Sequence, residues 1–133
     1  MTSSRKKTGK TIIPLGVYPE THELETAAVF LAIGYDVEFI KPSDTQKLRS
    51  ADVVIDGIEW EVKSPTGKSR YTIQNQFKRA ARQSKNLILD SRRVRLSNDF
   101  VRQEVSKQFM LRKSIVRIKL ILKSGEIIDF KKR

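Results

Sequence analysis

Two carboxylates and a lysine stand out in the run Ala51–Pro65, ADVVIDGIEWEVKSP. Asp56-Gly57 lies between alternating apolar residues, which is the pattern of a two-residue hairpin turn with positive φ at both central positions. Counting outward from that turn pairs Ile55 with Ile58, Val53 with Trp60 and Ala51 with Val62 on one apolar face. On the other face Val54 meets Glu59 and Asp52 meets Glu61, and Lys63 falls two residues further along it. Opposed Cβ atoms in such a pair are about 5 Å apart, so Asp52 and Glu61 would set like charges side by side, which destabilises a hairpin unless something relieves it. A hard divalent cation, Mg²⁺ or Mn²⁺, relieves it by taking carboxylate oxygens and keeping positions for water and phosphate. Lys63 beside them could orient or deprotonate a water, or stabilise the charge of a phosphoryl transition state. These are the parts of metal-assisted phosphodiester hydrolysis, with Asp52 and Glu61 as metal ligands and Lys63 as the catalytic base or electrostatic stabiliser.

The charge distribution favours the same chemistry. The 133 residues carry a net charge of +12, divided unevenly. Residues 20–62 hold ten acids and three bases, whereas residues 63–113 hold fourteen bases and three acids. A basic excess of this size favours polyanionic partners, nucleic acid first, through phosphate neutralisation and counterion release. Lys68, Arg70, Lys78, Arg79 and Arg82, which follow the acidic hairpin, are the phosphate-binding candidates. The absence of cysteine removes disulfides and thiolate metal sites. His22 is the one histidine, so a histidine-pair ribonuclease mechanism is excluded. TGKT at 8–11 is not a phosphate loop, because Ser4 stands where its first glycine is required. No apolar run approaches the roughly 20 residues of a membrane span, so a cytoplasmic site of action and no membrane partner are expected.

The elements that must position these residues follow from periodicity. Residues 1–10 read as a basic flexible arm and 11–133 as a single domain. Thr21 would cap a helix packed through Leu24, Ala27, Ala28 and Leu31 and ended by Gly34. Tyr35, Val37 and Phe39 alternate with acids as a strand, and a loop leads from Pro42 to the hairpin. A helix from about Tyr71 to Ser84 packs through Ile73, Phe77, Ala80, Ala81 and Ser84, with Thr72 and Gln76 on one flank. Asn86–Asp90, NLILD, is a short buried strand. A helix with Phe100, Val101, Val105 and Phe109 inward then precedes two strands joined at Ser124-Gly125. The order is helix, three strands, helix, strand, helix and hairpin, a mixed α/β layer with helices covering a sheet.

An aspartate near the start of one strand and Glu-x-Lys on the next (Glu61, Val62, Lys63), inside an αβββαβ order, resembles the PD-(D/E)xK nuclease superfamily. Residues 19–92, in particular HELETAAVFLAIGYDVEFI and the run from Ala51 to Asp90, resemble the C-terminal tRNA nuclease domains of contact-dependent growth inhibition toxins and small freestanding relatives. The resemblance implies a PD-(D/E)xK-like core with a central mixed sheet flanked by helices, extended here by a C-terminal helix and β-hairpin. It places the metal aspartate on Asp52, the second acid on Glu61, the lysine on Lys63 and the first-helix glutamate on Glu23. The short spacing from Asp52 to Glu61 departs from the family pattern and leaves Asp56 as a rival metal ligand. Thr72 and Gln76 are similar to the polar helix residues that many members aim at their site. The expected activity is metal-dependent endonucleolytic cleavage of structured RNA, with tRNA favoured over DNA and an acidic immunity protein as a further partner. A DNA endonuclease of the same fold and a non-catalytic basic nucleic-acid-binding module are the alternatives.

Overall fold

The hairpin around Asp56-Gly57 organises the sheet. Asp56 and Gly57 have φ of 54° and 78°, the left-handed pair that a tight hairpin turn needs. The strands on either side pair as Val53 with Trp60, Val54 with Glu59 and Ile55 with Ile58. That is the register counted from the sequence. The computed structural model describes residues 8–41 and 52–133. Most of the expected N-terminal arm, the loop beginning at Pro42 and the pairing of Ala51 with Val62 lie outside the described residues.

The elements in chain order are β1 (Thr11–Ile12), α1 (Thr21–Ala32), β2 (Val37–Phe39), β3 (Val53–Ile55), β4 (Ile58–Lys63), α2 (Thr72–Ala80), β5 (Asn86–Asp90), α3 (Asn98–Leu111), β6 (Arg117–Ile121) and β7 (Ile127–Lys131). The seven strands lie side by side in chain order. β1 with β2, β4 with β5, and β5 with β6 run parallel, and the other neighbours run antiparallel. Strand β1 has no counterpart in the sequence reading, being too short for a periodic signal. It is held because Val37 N–H donates to Lys10 O at 2.9 Å and Lys10 N–H to Asp36 Oδ1 at 2.8 Å. The ordered fold therefore begins before residue 11, with Gly9 N–H already donating to Leu31 O.

Helices cover both faces. α2 and α3 bury Ile73, Phe77, Val101 and Val105 against Leu87, Leu89, Ile118 and Leu120. On the other face α1 packs Ala27 and Phe30 over Val37, Val53, Trp60, Ile88 and Ile121. Alternate residues of β5 thus feed the two cores, which is why that strand is apolar through its middle on both faces. α2 ends at Ala80 and not at Ser84, so its stripe runs through Ile73, Phe77 and Ala80 while Ala81 and Ser84 follow the helix; α3 turns Val101, Val105 and Phe109 inward together with Gln108, and Phe100, expected inward, is half-buried. The face of α1 does not. Its buried residues are Thr26, Ala27 and Phe30, while Leu24 is 40% exposed. The start of the helix is also shifted. Glu20, not Thr21, is the N-cap, and its N–H donates to Glu23 Oε1 at 2.8 Å, the reciprocal arrangement of a capping box. Among the described residues no helix is long and apolar enough to cross a membrane.

Candidate active site

The regular β3–β4 ladder stops at Val53. Asp52 N–H donates to Trp60 O at 2.8 Å, although Trp60 is already paired with Val53. Two residues of one strand therefore face one of the other, as in a β-bulge, a device that re-aims a side chain. Here it turns the Asp52 carboxylate onto β4, where Oδ2 accepts the Val62 N–H at 2.8 Å. A simple opposed Asp52–Glu61 pair is therefore replaced by a carboxylate that ends the ladder beside Glu61.

Strand β4 supplies the other two groups. Its register with β5 pairs Glu61 with Leu87 and Lys63 with Leu89, so both side chains point to the face covered by α2. Glu61 is buried, 4% exposed. Lys63 Nζ lies 3.3 Å from Glu61 Oε2, while Glu61 Oε1 is buried with no hydrogen-bond partner among the described residues. Burial and then the neighbouring Asp52 charge push the Glu61 carboxyl up to about 7, against the opposing pull of Lys63. Burial also raises Asp52, with the charge of Glu23 adding to it, while the Val62 N–H and Lys63 oppose the rise. Two carboxylates thus lie together with Lys63 beside Glu61, and the buried Glu61 Oε1 has no hydrogen-bond partner among the described residues. The strain of the pair is relieved either by a proton held on Glu61 and shared with Asp52, whose mutual hydrogen bond raises the one and lowers the other, or by a bound cation.

Glu23 lies one turn before Ala27, on the buried side of α1, and its charge is felt at Asp52. Its carboxylate is also engaged in capping its own helix. The structure brings Asp52, Glu61 and Lys63 together, and the charge of Glu23 on α1 reaches Asp52. It does not bring in Asp56, which sits in the turn, roughly 13 Å along the strand from Asp52. Among the described residues no three histidine or acidic side chains converge tightly enough to hold a metal by themselves. A cation here would have two carboxylates and would fill its remaining positions with water and phosphate, a set that suits Mg²⁺ or Mn²⁺. The unserved Glu61 oxygen and the raised carboxyl fit that occupant.

Thr72 is buried and Gln76 half-buried on α2. Neither has a hydrogen bond to Asp52, Glu61 or Lys63 among the described residues. Thr72 Oγ1 would lie 3.3 Å from a Cβ placed on Gly67, so its hydroxyl packs beneath the loop that follows β4. Lys68 and Arg70 are exposed on that loop, and the Arg70 guanidinium lies over Tyr71, 5.0 Å from its ring centre. Lys78 and Arg79 occupy the last turn of α2 and Arg82 follows it, all exposed; the first two also complement that helix end.

One built cluster was not read from the sequence. Asp90, 2% exposed at the end of β5, accepts Thr26 Oγ1 from α1 at 2.7 Å and the Arg92 guanidinium at 2.9 and 2.7 Å. Burial would raise its carboxyl, but the bonds from Arg92 and Thr26 outweigh that and hold it below the ordinary value. Arg92 also donates to Glu25 O at 3.1 Å, so the pair pins α1 to the strand end. An aspartate closing a strand with an apolar middle, with arginine two residues on, was the available signal.

Comparison with known proteins agrees with this architecture. The family model described as "Contact-dependent growth inhibition CdiA C-terminal domain" matches residues 49–127, more than half of the chain. The chain belongs to the CdiA C-terminal domain family. The matched span runs from just before Asp52 to the start of β7, and so includes the acidic hairpin, α2 and the Asp90–Arg92 cluster. A solved structure described as "CdiA-CT/CdiI toxin and immunity complex from Burkholderia pseudomallei" is similar to it with a TM-score of 0.66 at 16% identity, over 93% of this chain and 100% of that one. At that identity the likeness speaks for the fold, a mixed sheet flanked by helices. No curated protein matches the chain.

Proposed function

We propose that this CdiA C-terminal domain is a toxin nuclease of the PD-(D/E)xK type, a metal-dependent endonuclease that cuts structured RNA, tRNA foremost. The observation that carries the reading is the meeting of Asp52, Glu61 and Lys63 at one end of the hairpin, with a buried Glu61 oxygen unserved. Asp52 and Glu61 would hold a Mg²⁺ or Mn²⁺ ion. The chemistry such an ion supplies when bound is charge for the phosphate oxygens and a more acidic water. The chain's own residues do the rest. Val62 N–H keeps the Asp52 carboxylate aimed at the site. Lys63, tethered by Glu61 on a strand and not on a mobile loop, is placed to donate to a phosphate oxygen as negative charge develops there. Glu23 adds negative charge from α1 and favours occupation by a cation.

RNA in preference to DNA rests on the resemblance of residues 19–92 to toxin tRNA nuclease domains, since the hydrolytic groups serve either backbone. The Burkholderia protein is described in a complex with an immunity protein, and a chain of net charge +12 suits an acidic partner of that kind. The test is incubation of the purified protein with total tRNA, plasmid and single-stranded DNA, with and without Mg²⁺ or Mn²⁺, beside Asp52→Ala, Glu61→Ala and Lys63→Ala. Metal-dependent cutting of RNA that all three substitutions abolish is the expected result. Cutting that survives all three would overturn the site, and salt-sensitive binding without cutting would return the domain to a binding module.

A further inference from the structure

The parallel strands β4 and β5 end side by side, at Lys63 and Asp90. In open α/β sheets the crevice outside the carboxyl ends of parallel strands is where ligands bind. Here the two loops that leave those ends, 64–71 and 91–97, carry Lys68, Arg70, Arg92, Arg93 and Arg95 and no acid. They are tied to each other, since Arg95 N–H donates to Gly67 O at 2.7 Å and Gly67 bridges to Val94. Between them and α1 lies a cavity of about 410 Å³ lined by Glu25, Ala28, Ser64, Asp90, Arg92 and Arg93.

The two arginines differ in what they can offer. Arg92 spends Nε and Nη2 on Asp90 and Glu25 O, so its charge is matched by a buried carboxylate. Arg93 donates from Nε to Ser64 Oγ at 3.2 Å and from Nη2 to Ser64 O. Both partners are neutral oxygens, and Arg93 has no ion pair among the described residues. Its guanidinium is therefore held by the residue next to Lys63, with no ion pair and no hydrogen bond at Nη1 among the described residues. Holding a long side chain in one geometry normally costs entropy on binding; here Ser64 has already ordered it. A planar fork with spare donors is matched to a phosphate.

We propose that Arg93, ordered by Ser64, grips a backbone phosphate of the nucleic acid strand next to the one at Lys63. The outer face of α2 with Lys78 and Arg79, and Arg82 just after it, then play the lesser part in binding. The proposal deepens the nuclease reading and rests on it for the identity of the strand. Glu25, on the rim, makes no ion pair among the described residues and opposes the bound phosphate.

The experiment measures binding of total tRNA and of a labelled single-stranded RNA across a salt series, without divalent cation, in a Lys63→Ala background so that nothing is cut. Arg93→Ala is expected to weaken binding about tenfold or more and to flatten the log–log salt slope by about 0.7, with thermal melting unchanged. Arg93→Lys, which keeps the charge but loses the fork onto Ser64, should recover only part of the loss. Glu25→Gln should tighten binding severalfold, and Arg82→Ala should cost less than Arg93→Ala. Unchanged binding in Arg93→Ala, full recovery by Arg93→Lys, or an equal loss in Arg82→Ala would each overturn the proposal. So would an equal loss of binding to poly-L-glutamate, which would point to a protein partner. The parent protein is assayed for cleavage in parallel. Cleavage together with unchanged Arg93→Ala binding sinks this inference alone, whereas lack of cleavage sinks the nuclease reading and leaves the binding result to judge Arg93.

Discussion

Glu61→Gln should make the metal-free protein more stable at pH 8 while removing its activity. Glu61 is 4% exposed and its carboxyl is pushed from 4.5 to about 7 by burial and by Asp52. The folded state therefore holds the Glu61 proton more tightly than the unfolded chain does, and between pH 4.5 and 7 it binds more protons. Stability contributed by that proton is complete below pH 4.5 and is lost as pH rises through about 7. A displacement of that size corresponds to about 3 kcal/mol of strain once the group is ionised. Gln is neutral at every pH and has nearly the same volume, so Glu61→Gln should gain about 2–3 kcal/mol at pH 8 and almost nothing at pH 4.5. For a domain of this length that is a rise in Tm on the order of 10 °C. The assay is thermal melting of both proteins in chelator from pH 4.5 to 8.5, repeated with Mg²⁺ or Mn²⁺ at pH 8. The cation should raise the Tm of the parent protein and leave Glu61→Gln nearly unmoved. A variant that is less stable at pH 8, or a gap that does not close towards pH 4.5, would refute the reasoning.

Other outcomes separate the remaining roles. Lys63→Ala should lower cleavage by a factor of about 10² or more and, because Lys63 opposes the rise of the buried Glu61 carboxyl, should lower Tm more at pH 8 than at pH 4.5; initial rates at saturating RNA and melting at the two pH values check this. Asp56→Ala should cost about 1 kcal/mol, since Asp56 occupies a left-handed position at φ 54°, yet should keep full cleavage, in contrast to Asp52→Ala. Asp90→Asn should destabilise by roughly 2–3 kcal/mol by leaving Arg92 without its carboxylate. Because Asp90 is held below its ordinary value of 3.8 by Arg92 and Thr26 against the cost of burial, its contribution is present above that value and is lost only as pH falls below about 4. Urea titrations at pH 7 and pH 3 would show the Asp90→Asn deficit at the first and its shrinkage at the second.

Local rules were enough where a few adjacent residues decide the conformation. Asp56-Gly57 sets a turn whose backbone suits no other arrangement, and the register through Trp60 follows from it by counting. The apolar periods of α2 and α3 likewise name their buried faces, because each helix packs along one continuous stripe. NLILD is read as a strand inside the sheet because its apolar middle would leave a one-sided strand exposed. From the hairpin register and the alternation along β4, Glu61 and Lys63 had to share a face, whereas the directly opposed Asp52–Glu61 pair expected beside them gives way to the bulge at Asp52.

What lay beyond the sequence depended on residues far apart in the chain. The bulge at Asp52 arises where β3 leaves the ladder and its side chain takes the Val62 N–H, a choice that regular alternation does not encode. α1 turns Thr26 and Phe30 inward and leaves Leu24 exposed, with the Thr26 hydroxyl donating to Asp90 sixty-four residues later, and the Glu20–Glu23 cap sets the start of the helix. Arg92 and Arg93 are neighbours with the same charge and the same side chain. Only the packing of two strand ends against α1 commits the first to a buried aspartate and leaves the second with neutral Ser64 oxygens and a charge to spare. Types and spacing determined which groups could do chemistry. Burial, which cannot be read from any single stretch, decided which carboxylate is strained and which arginine is available.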